Sequence, residues 1–237
     1  MSVYVYAITA DTHPGGLGRL TGVGSPPEAL RALAGSGLRA VVSRAPEGLR
    51  ARRRDLVAHQ EVVESLMSEG PVLPLRFGAV AEDDQEVLGV LREQVDAYRE
   101  RLAALDGCAE HLVKASAEED ALLRQILRDS AEARRLNERT KQSPDPEPKI
   151  RLGELVAGEI QRRNRSAAAE LIDELSPLAR EVRENPPNGN DFVSGSFLVE
   201  EDRQDDFRAA AAELAERWGE DRALRVHGPL PPYSFVQ

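Results

Sequence analysis

HGPLPPYSFV, residues 227–236, lies one residue before the end of the 237-residue sequence and combines three prolines with a tyrosine and a phenylalanine. Most domains end in a polar, frayed tail. Proline holds the backbone extended at low entropic cost, so these aromatic side chains can be kept in a defined arrangement. We therefore predict an ordered segment that packs along the protein. It either covers its own domain or forms a docking strip for an apolar partner, and the sequence leaves both readings open.

A second stretch with the same character is VLPLRFG, residues 72–78, within GPVLPLRFGAV. Proline cannot donate to a sheet ladder, so a regular central strand is not expected here. The stretch is predicted to be an edge strand or an extended segment. Like the C-terminal segment, it is interpreted as a covering strand or as a docking strip.

The N-terminal half alternates strands and helices. The predicted elements are a strand over 3–8, a helix over 27–34, a strand over 38–43, a helix after the arginines at 50–54, a helix from Asp83 to Leu105 and a strand over 109–116. In the first strand Val3 and Val5 face one way while Tyr4, Tyr6 and Ile8 face the other. Both faces are therefore apolar, which is typical of a central strand. The helix that begins with the arginines at 50–54 is expected to bury the side chains of Leu56, Val63, Leu66 and Met67.

The C-terminal half shows long helices followed by a compact strand, helix and strand. The predicted elements are a helix from the Ser-x-x-Glu capping box at 116–119 to Arg139, a proline-rich linker SPDPEP at 143–148, a helix over 150–184, a strand over 191–201, a helix marked by Phe207, Ala211, Leu214 and Trp218, and a closing strand over 222–228. We expect an α+β protein with domains at 1–140 and 191–237, joined by a linker and long helix at 141–190 that could belong to the second domain.

Composition narrows the possible classes of protein. The net charge of −10 argues against general binding to nucleic acid or to anionic membranes. No signal peptide or membrane-spanning stretch is recognisable, which favours a soluble cytoplasmic protein. The single cysteine, Cys108, permits neither an internal disulfide nor a cysteine-based metal cluster, and it is expected to be buried.

Chemistry-bearing motifs are absent from the sequence. The four histidines, His13, His59, His111 and His227, lie in different elements without the spacing of a local metal motif. Ser194 and Ser196 lie in a predicted strand, where a nucleophile elbow does not occur. No cofactor motif is present, so no cofactor is predicted, although an enzyme with a spatially assembled site stays an alternative. The arginines at 50–54 are interpreted as solvated, with a site for an acidic partner as the alternative.

The chain resembles the gas vesicle protein F/L family. The residues that carry this resemblance are Tyr4-Val5-Tyr6-Ala7-Ile8, Val72 to Gly78, Leu112-Val113-Lys114-Ala115 and Gly228 to Val236. The chain departs from the family at Leu230, where tryptophan is frequent, and at His111-Leu112. The lost tryptophan could weaken one aromatic contact.

This resemblance implies two α+β, ferredoxin-like domains with helices between them. It also implies a non-enzymatic accessory protein of gas vesicle formation that binds the small hydrophobic shell protein and assists nucleation or assembly of the vesicle. The expected location is the gas vesicle in the cytoplasm, without nucleic acid or membrane partners. A scaffold that links other gas vesicle accessory proteins is the alternative.

The apolar strips suggest where a hydrophobic partner could bind. A charged protein with a few rigid apolar segments can shield an aggregation-prone partner while staying soluble itself. We hypothesise that the two strips contribute to this binding, or to the domain contact that creates the binding face. The residues are Leu73, Pro74, Arg76, Phe77, Pro229, Pro231, Pro232, Tyr233 and Phe235.

Overall fold

The computed structural model describes residues 1–142 and 145–236 and divides into two compact units. The N-terminal unit comprises Met1–His111 together with the C-terminal segment from Gly228. The C-terminal unit comprises Leu112–His227. The α+β class is confirmed. The units divide at 111/112 and 227/228, whereas divisions at 140/141 and 190/191 were predicted. The second division lies at 227/228 because the last segment of the chain packs with the first unit.

The N-terminal unit is an antiparallel sheet with three helices. Its elements are β1 (Val3–Ala10), β2 (Arg31–Gly35), β3 (Leu38–Arg44), α1 (Arg53–Met67), β4 (Leu73–Pro74), β5 (Val80–Ala81), α2 (Asp84–Glu93) and α3 (Val95–Leu105). The strand order is β2-β3-β1-β4, and β5 also pairs with β1. The predicted central position of β1 is therefore confirmed, as are the extended and edge character of residues 70–80.

A bulge in β1 decides which residues share a face. The register with β3 shifts between Val5 and Ala7. One extra residue inverts the alternation that follows it. Tyr4, Tyr6 and Ala7 consequently pack in one cluster with α1, while Ile8 lines the opposite face with Val5. Simple alternation had placed Ile8 with the tyrosines, and that prediction is wrong.

The C-terminal unit repeats the strand order of the first sheet. Its elements are β6 (Cys108–Ala117), α4 (Glu119–Asp129), α5 (Ala131–Gln142), α6 (Pro146–Leu175), β7 (Glu181–Asn185), β8 (Asp191–Glu200), α7 (Gln204–Trp218) and β9 (Arg222–Leu230). The order β7-β8-β6-β9 places the second, third, first and fourth strands side by side. With helices after the first and third strands, this is the ferredoxin-like arrangement. In the N-terminal unit a loop replaces the first helix.

The core of the C-terminal unit is apolar. The predicted helix face of α7 is confirmed, because Phe207, Ala211, Leu214 and Trp218 are all buried. These side chains pack with Phe197 of β8 and with Leu171 and Leu175 of α6, among others. Burial of such side chains stabilises a fold by about 1.5–3 kcal/mol each.

Residues 27–34 were predicted to be helical, and that prediction is wrong. They lead into β2, which forms a hairpin with β3. The two turn residues Ser36 and Gly37 have φ angles of 58° and 75°. Two left-handed residues in succession match the twist of paired strands, so the turn chemistry overrides the weak helical pattern.

Two predicted helices differ in extent. The helix from Asp83 begins as predicted, since the Asp83 carboxylate accepts the amides of Gln85 and Glu86, but it is broken at Gln94 into α2 and α3. The capping box at 116–119 is not formed, because β6 continues to Ala117. The following helix is interrupted at Ser130, whose hydroxyl accepts the amide of Ala133.

The predicted linker and the helix after it also differ from the structure. Residues 143 and 144 lie outside the described residues. Asp145 caps α6 by accepting the amide of Glu147 at 3.0 Å, and Pro146 and Pro148 lie in the first turn, where proline is tolerated. Helix α6 ends at Leu175, so Val182 lies in β7 and not in a helix.

Helix α1 presents a different face from the one predicted. Val63 and Leu66 are buried as expected, but Leu56 is 41% exposed and Val62 is buried in its place. His59 is also buried. The buried face of α1 is therefore rotated from the predicted one and includes a histidine. The periodicity of apolar residues alone cannot show this rotation.

Candidate functional site

The C-terminal segment is built into the N-terminal unit. After β9, Pro231 and Pro232 are buried, and residues 233–235 form a short 3-10 turn. The Phe235 side chain is completely buried, and its carbonyl accepts a hydrogen bond from Arg101 Nε. The predicted ordered segment is thus present, and its aromatic end packs on the protein itself.

A buried carboxylate fixes the backbone of this segment. Both oxygens of Glu110 accept hydrogen bonds from Ser234, one from the amide at 2.9 Å and one from the hydroxyl at 2.6 Å. Glu110 is only 5% exposed. Hydrogen bonds to a charged acceptor in such a place are stronger than neutral ones, so this contact holds the turn firmly.

The second strip lies against β1. Leu73 and Pro74 pair with Ile8 and Ala7, and the Leu75 amide donates to the Tyr6 carbonyl at 2.9 Å. Proline has no amide hydrogen to donate, so it is tolerated in β4, a two-residue strand at the edge of the sheet. The strip is therefore a covering segment for much of its length.

His59 on α1 is the centre of an aromatic cluster with Tyr4, Tyr6, Phe77 and Tyr233. The His59 ring stacks on Tyr6 at a centroid distance of 5.6 Å and meets Tyr4 and Phe77 edge-on at 5.7 and 5.8 Å. Edge-to-face pairs of this kind contribute about 0.5–1.5 kcal/mol beyond the area they bury. Tyr233 brings the C-terminal segment to the same ring, with its hydroxyl 3.3 Å from His59 Nε2.

Hydrogen bonds assign the tautomer of His59. Nε2 lies 3.0 Å from the Leu75 carbonyl, which can only accept, so Nε2 carries the proton. Nδ1 then accepts from the Tyr4 hydroxyl at 2.9 Å, and that hydroxyl accepts the Gly78 amide. Burial lowers the pKa of His59, while the bond to Leu75 partly offsets this. The imidazole is therefore neutral at physiological pH, and its role is structural.

The tyrosine hydroxyls are structural as well. Tyr6 accepts the Val23 amide at 2.8 Å and lies 3.0 Å from the Ser43 hydroxyl, which ties the glycine-rich loop to β3. Burial raises the pKa of Tyr4 and Tyr6, and it raises the pKa of Tyr233 to about 12. None of these groups can act as an acid or base near neutral pH.

The hypothesised binding residues therefore differ in accessibility. Five are buried: Leu73, Pro74, Pro231, Pro232 and Phe235. Phe77 and Tyr233 are half-buried and pack against the N-terminal core. Arg76 and Pro229 are exposed. The buried residues can influence a partner only through the surface they support.

An apolar groove beside the second strip was missed by the sequence interpretation. It has a volume of about 250 Å³ and is lined by Val5, Ile8, Ala40, Leu75, Ala79, Val80, Ala81, Glu86, Val87, Val90, Leu91 and Tyr98. Val80 is 51% exposed and Val90 40%. One signal was available, because Val90 falls outside the buried series that includes Val87 and Leu91 on the same helix.

The other residues considered for chemistry are not assembled into a site. Within the part of the chain that the structure describes, no three His, Cys, Asp or Glu side chains are grouped as a metal site requires. Cys108 is buried, as predicted, and Ser194 and Ser196 are buried in β8. None of the helices within residues 1–142 and 145–236 combines the length and apolar character needed to cross a bilayer.

Comparison with known proteins identifies the family. A family model described as "Gas vesicle synthesis protein GvpL/GvpF" matches residues 2–237. The chain belongs to the GvpL/GvpF family. Its fold agrees with the crystal structure of GvpF from Anabaena sp. PCC7120, with a TM-score of 0.82. The two sequences are 26% identical, and the match covers 100% of this chain and 98% of that one.

Within the GvpL/GvpF family, the sequence is more similar to an F protein than to an L protein of one strain. It is 44% identical to gas vesicle protein F of Streptomyces sp. (strain CB03234) over 100% of both chains. It is 29% identical to gas vesicle protein L of the same strain, over 98% of this chain and 92% of the relative. The resemblance seen in the sequence is confirmed, and the protein has a role related to gas vesicles.

Proposed function

We propose that this protein is a non-enzymatic accessory factor that binds the small hydrophobic shell protein of the gas vesicle in the cytoplasm and assists nucleation of the vesicle. Family membership supports the gas vesicle context. The observation that supports shell-protein binding is the open apolar groove on the N-terminal unit. No cofactor is needed for this role.

The groove has the chemistry of a contact for apolar side chains. Among its lining residues the only carboxylate is Glu86, which already accepts the Glu82 amide at 2.6 Å. The volume of about 250 Å³ is below the ~300–1,000 Å³ of typical small-molecule pockets. Exposed Val80 and Val90 extend the apolar surface beyond the groove itself. Insertion of aliphatic side chains from a hydrophobic protein fits these dimensions.

The two strips support this groove. Leu75 contributes its side chain to the groove lining, and its carbonyl is held by His59 Nε2. His59 in turn contacts Tyr233 and Phe77. The strip residues named from the sequence therefore contribute mainly by fixing the position of Leu75, with Arg76 and Pro229 available at the surface.

The proposal can be tested by co-expression of the shell protein with variants of the groove. Val80→Asp with Val90→Asp places charge on exposed positions and is expected to reduce co-purified shell protein about tenfold or more. Ile150→Asp is the matched control, because Ile150 is 59% exposed on α6. Phe77→Ala and Tyr233→Ala are expected to give smaller losses. Full binding by the folded groove variant and by both alanine variants would contradict the proposal.

A further inference from the structure

A second surface of the N-terminal unit has the opposite character. A cleft of about 670 Å³ is lined by Arg44, Arg50, Arg52 and Arg54, with Glu28, Glu47 and Asp55 as its carboxylates. Its walls come from the first two residues, the loop at 24–28, the end of β3, the loop after it and the start of α1. The function proposed above does not use this cleft.

The charge of the chain is distributed unevenly around this cleft. Residues 44–54 hold five arginines and one glutamate, a net charge of +4, so the rest of a chain with a net charge of −10 carries −14. A local asymmetry of this size indicates an electrostatic partner. Because like charges that close together repel one another, the arginine cluster lowers the stability of the free protein, and an acidic partner would relieve this repulsion.

Two arginines of the cleft are already neutralised by neighbours. Arg44 donates to Glu28 from Nε at 3.0 Å and from Nη2 at 2.7 Å. Arg54 lies 3.6 Å from Asp55, whose other oxygen accepts the Gly24 amide at 2.9 Å. These contacts brace the walls of the cleft and leave it preformed.

The other arginines are available for a ligand. Arg50 and Arg52 line the cleft, and Arg53 follows them at the start of α1. All three are exposed, and none has a carboxylate within ion-pair distance among the described residues. Guanidinium groups bind carboxylates in a two-pronged geometry that a point charge cannot match. Three such groups within four positions can engage several carboxylates of one short segment.

We propose that the cleft binds a short carboxylate-rich segment of a partner protein. A short segment can end within the cleft, where Glu28 and Asp55 are already paired with Arg44 and Arg54. A nucleic acid carries a charge at every phosphate and would continue onto the strongly acidic remainder of the surface. The chain then has two chemically distinct surfaces, one apolar and one basic, as a protein that links different partners requires.

The test is binding of a fluorescent oligoglutamate peptide to the full chain. Substitution of Arg50, Arg52 and Arg53 by Gln is expected to weaken binding about tenfold, because several modest charge contacts are lost together. The matched control is Gln at Arg124, Arg135 and Arg139, which are exposed on α4 and α5 and change the net charge equally. The control is expected to bind within about twofold of the parent, and added salt should weaken parent binding.

Three outcomes would overturn the proposal. Equal losses in the cleft variant and the control would show a response to net charge only. Tighter binding of an oligothymidylate of the same charge would make the ligand a nucleic acid. Dimerisation of the parent that the cleft variant abolishes would make the ligand a second copy of the chain. Both variants make no change in buried contacts, so their circular dichroism should match that of the parent.

Discussion

The two units share a strand order but build their cores in different ways. The core of the C-terminal unit consists of aliphatic and aromatic side chains from one continuous stretch, Leu112–His227. The core of the N-terminal unit contains tyrosine hydroxyls and a neutral histidine joined by hydrogen bonds, and it is completed by Phe235 from the far end of the sequence. The C-terminal core therefore depends on apolar packing within one stretch of the chain. The N-terminal core also depends on directional hydrogen bonds and on a segment from the other end of the chain.

This difference can be measured separately in each unit. All four tyrosines, Tyr4, Tyr6, Tyr98 and Tyr233, belong to the N-terminal unit, and the single tryptophan, Trp218, belongs to the C-terminal unit. Near-ultraviolet circular dichroism of tyrosine and tryptophan fluorescence therefore report on different cores. The comparison predicts that the N-terminal unit is the more sensitive to the end of the chain, to single hydroxyl groups and to acid.

Among single substitutions, the largest expected effect comes from Phe235→Ala. Removal of a fully buried phenylalanine costs about 3–5 kcal/mol of the free energy of unfolding. The tyrosine-monitored transition in urea should shift strongly while the tryptophan transition does not. Phe207→Ala should produce the reverse pattern, because Phe207 is equally buried in the other core.

Val57→Ala serves as the control in the same unit, since Val57 is 43% exposed, and it should change stability by no more than about 0.5 kcal/mol. A chain that ends at His227 should lose the tyrosine signal altogether. If that truncated chain kept a native tyrosine spectrum, the segment would be a docked tail and not part of the core.

A smaller effect is expected from Tyr6→Phe. This change leaves the buried Val23 amide without its acceptor, which costs about 1–3 kcal/mol. Tyr233→Phe removes only the longer 3.3 Å contact to His59 and should cost less than about 1 kcal/mol. Urea midpoints of the two variants give the comparison. Equal losses would mean that the directional bonds of the tyrosine cluster are not what stabilises it.

The smallest effect is a dependence on pH. Burial lowers the pKa of both His59 and His13 in the N-terminal unit, so the folded state holds these rings neutral. Stability is fully present above the unfolded histidine pKa of about 6.5 and is lost as the pH falls below it toward the folded pKa. The tyrosine-monitored midpoint should therefore fall between about pH 7.5 and about pH 5.5.

His59→Gln tests the assignment of this pH dependence. Glutamine does not titrate, so the variant should show a flatter pH profile. It should also be less stable at neutral pH, because the ring contacts of His59 are lost. His13, whose pKa is also lowered by burial, is expected to contribute to the remaining slope. A profile as steep as that of the parent would exclude His59 as a source of the pH dependence.

Prediction from the sequence succeeded where the cause was local. The face of α7 that carries Phe207 and Trp218 follows from helical spacing, and the start of α2 follows from a capping aspartate. The segment at 227–236 was expected to be ordered because its prolines restrict the backbone. Prediction failed at Ile8, where a bulge inverted the alternation, and over 27–34, where a left-handed turn produced a hairpin.

The candidate surfaces depended on three-dimensional proximity. Leu73 and Phe235 were recognised as unusual, but only the structure shows that their side chains are buried. The groove at Val80 and Val90 combines two elements whose short sequences carry no motif. The arginines at 50–54 were visible as a run, whereas the cleft beside them required the loop at Gly24.

The amino-acid sequence by itself determined the α+β class, most strands and helices, and the resemblance to the gas vesicle F/L family, because these depend on periodicity, turn residues and short motifs. Only the tertiary structure decided which unit the last residues complete and how His59 is protonated. Those features depend on contacts such as Ser234 with Glu110 and Tyr233 with His59, which join residues 124 and 174 positions apart. No local pattern encodes such distances, because they are set when the whole chain packs.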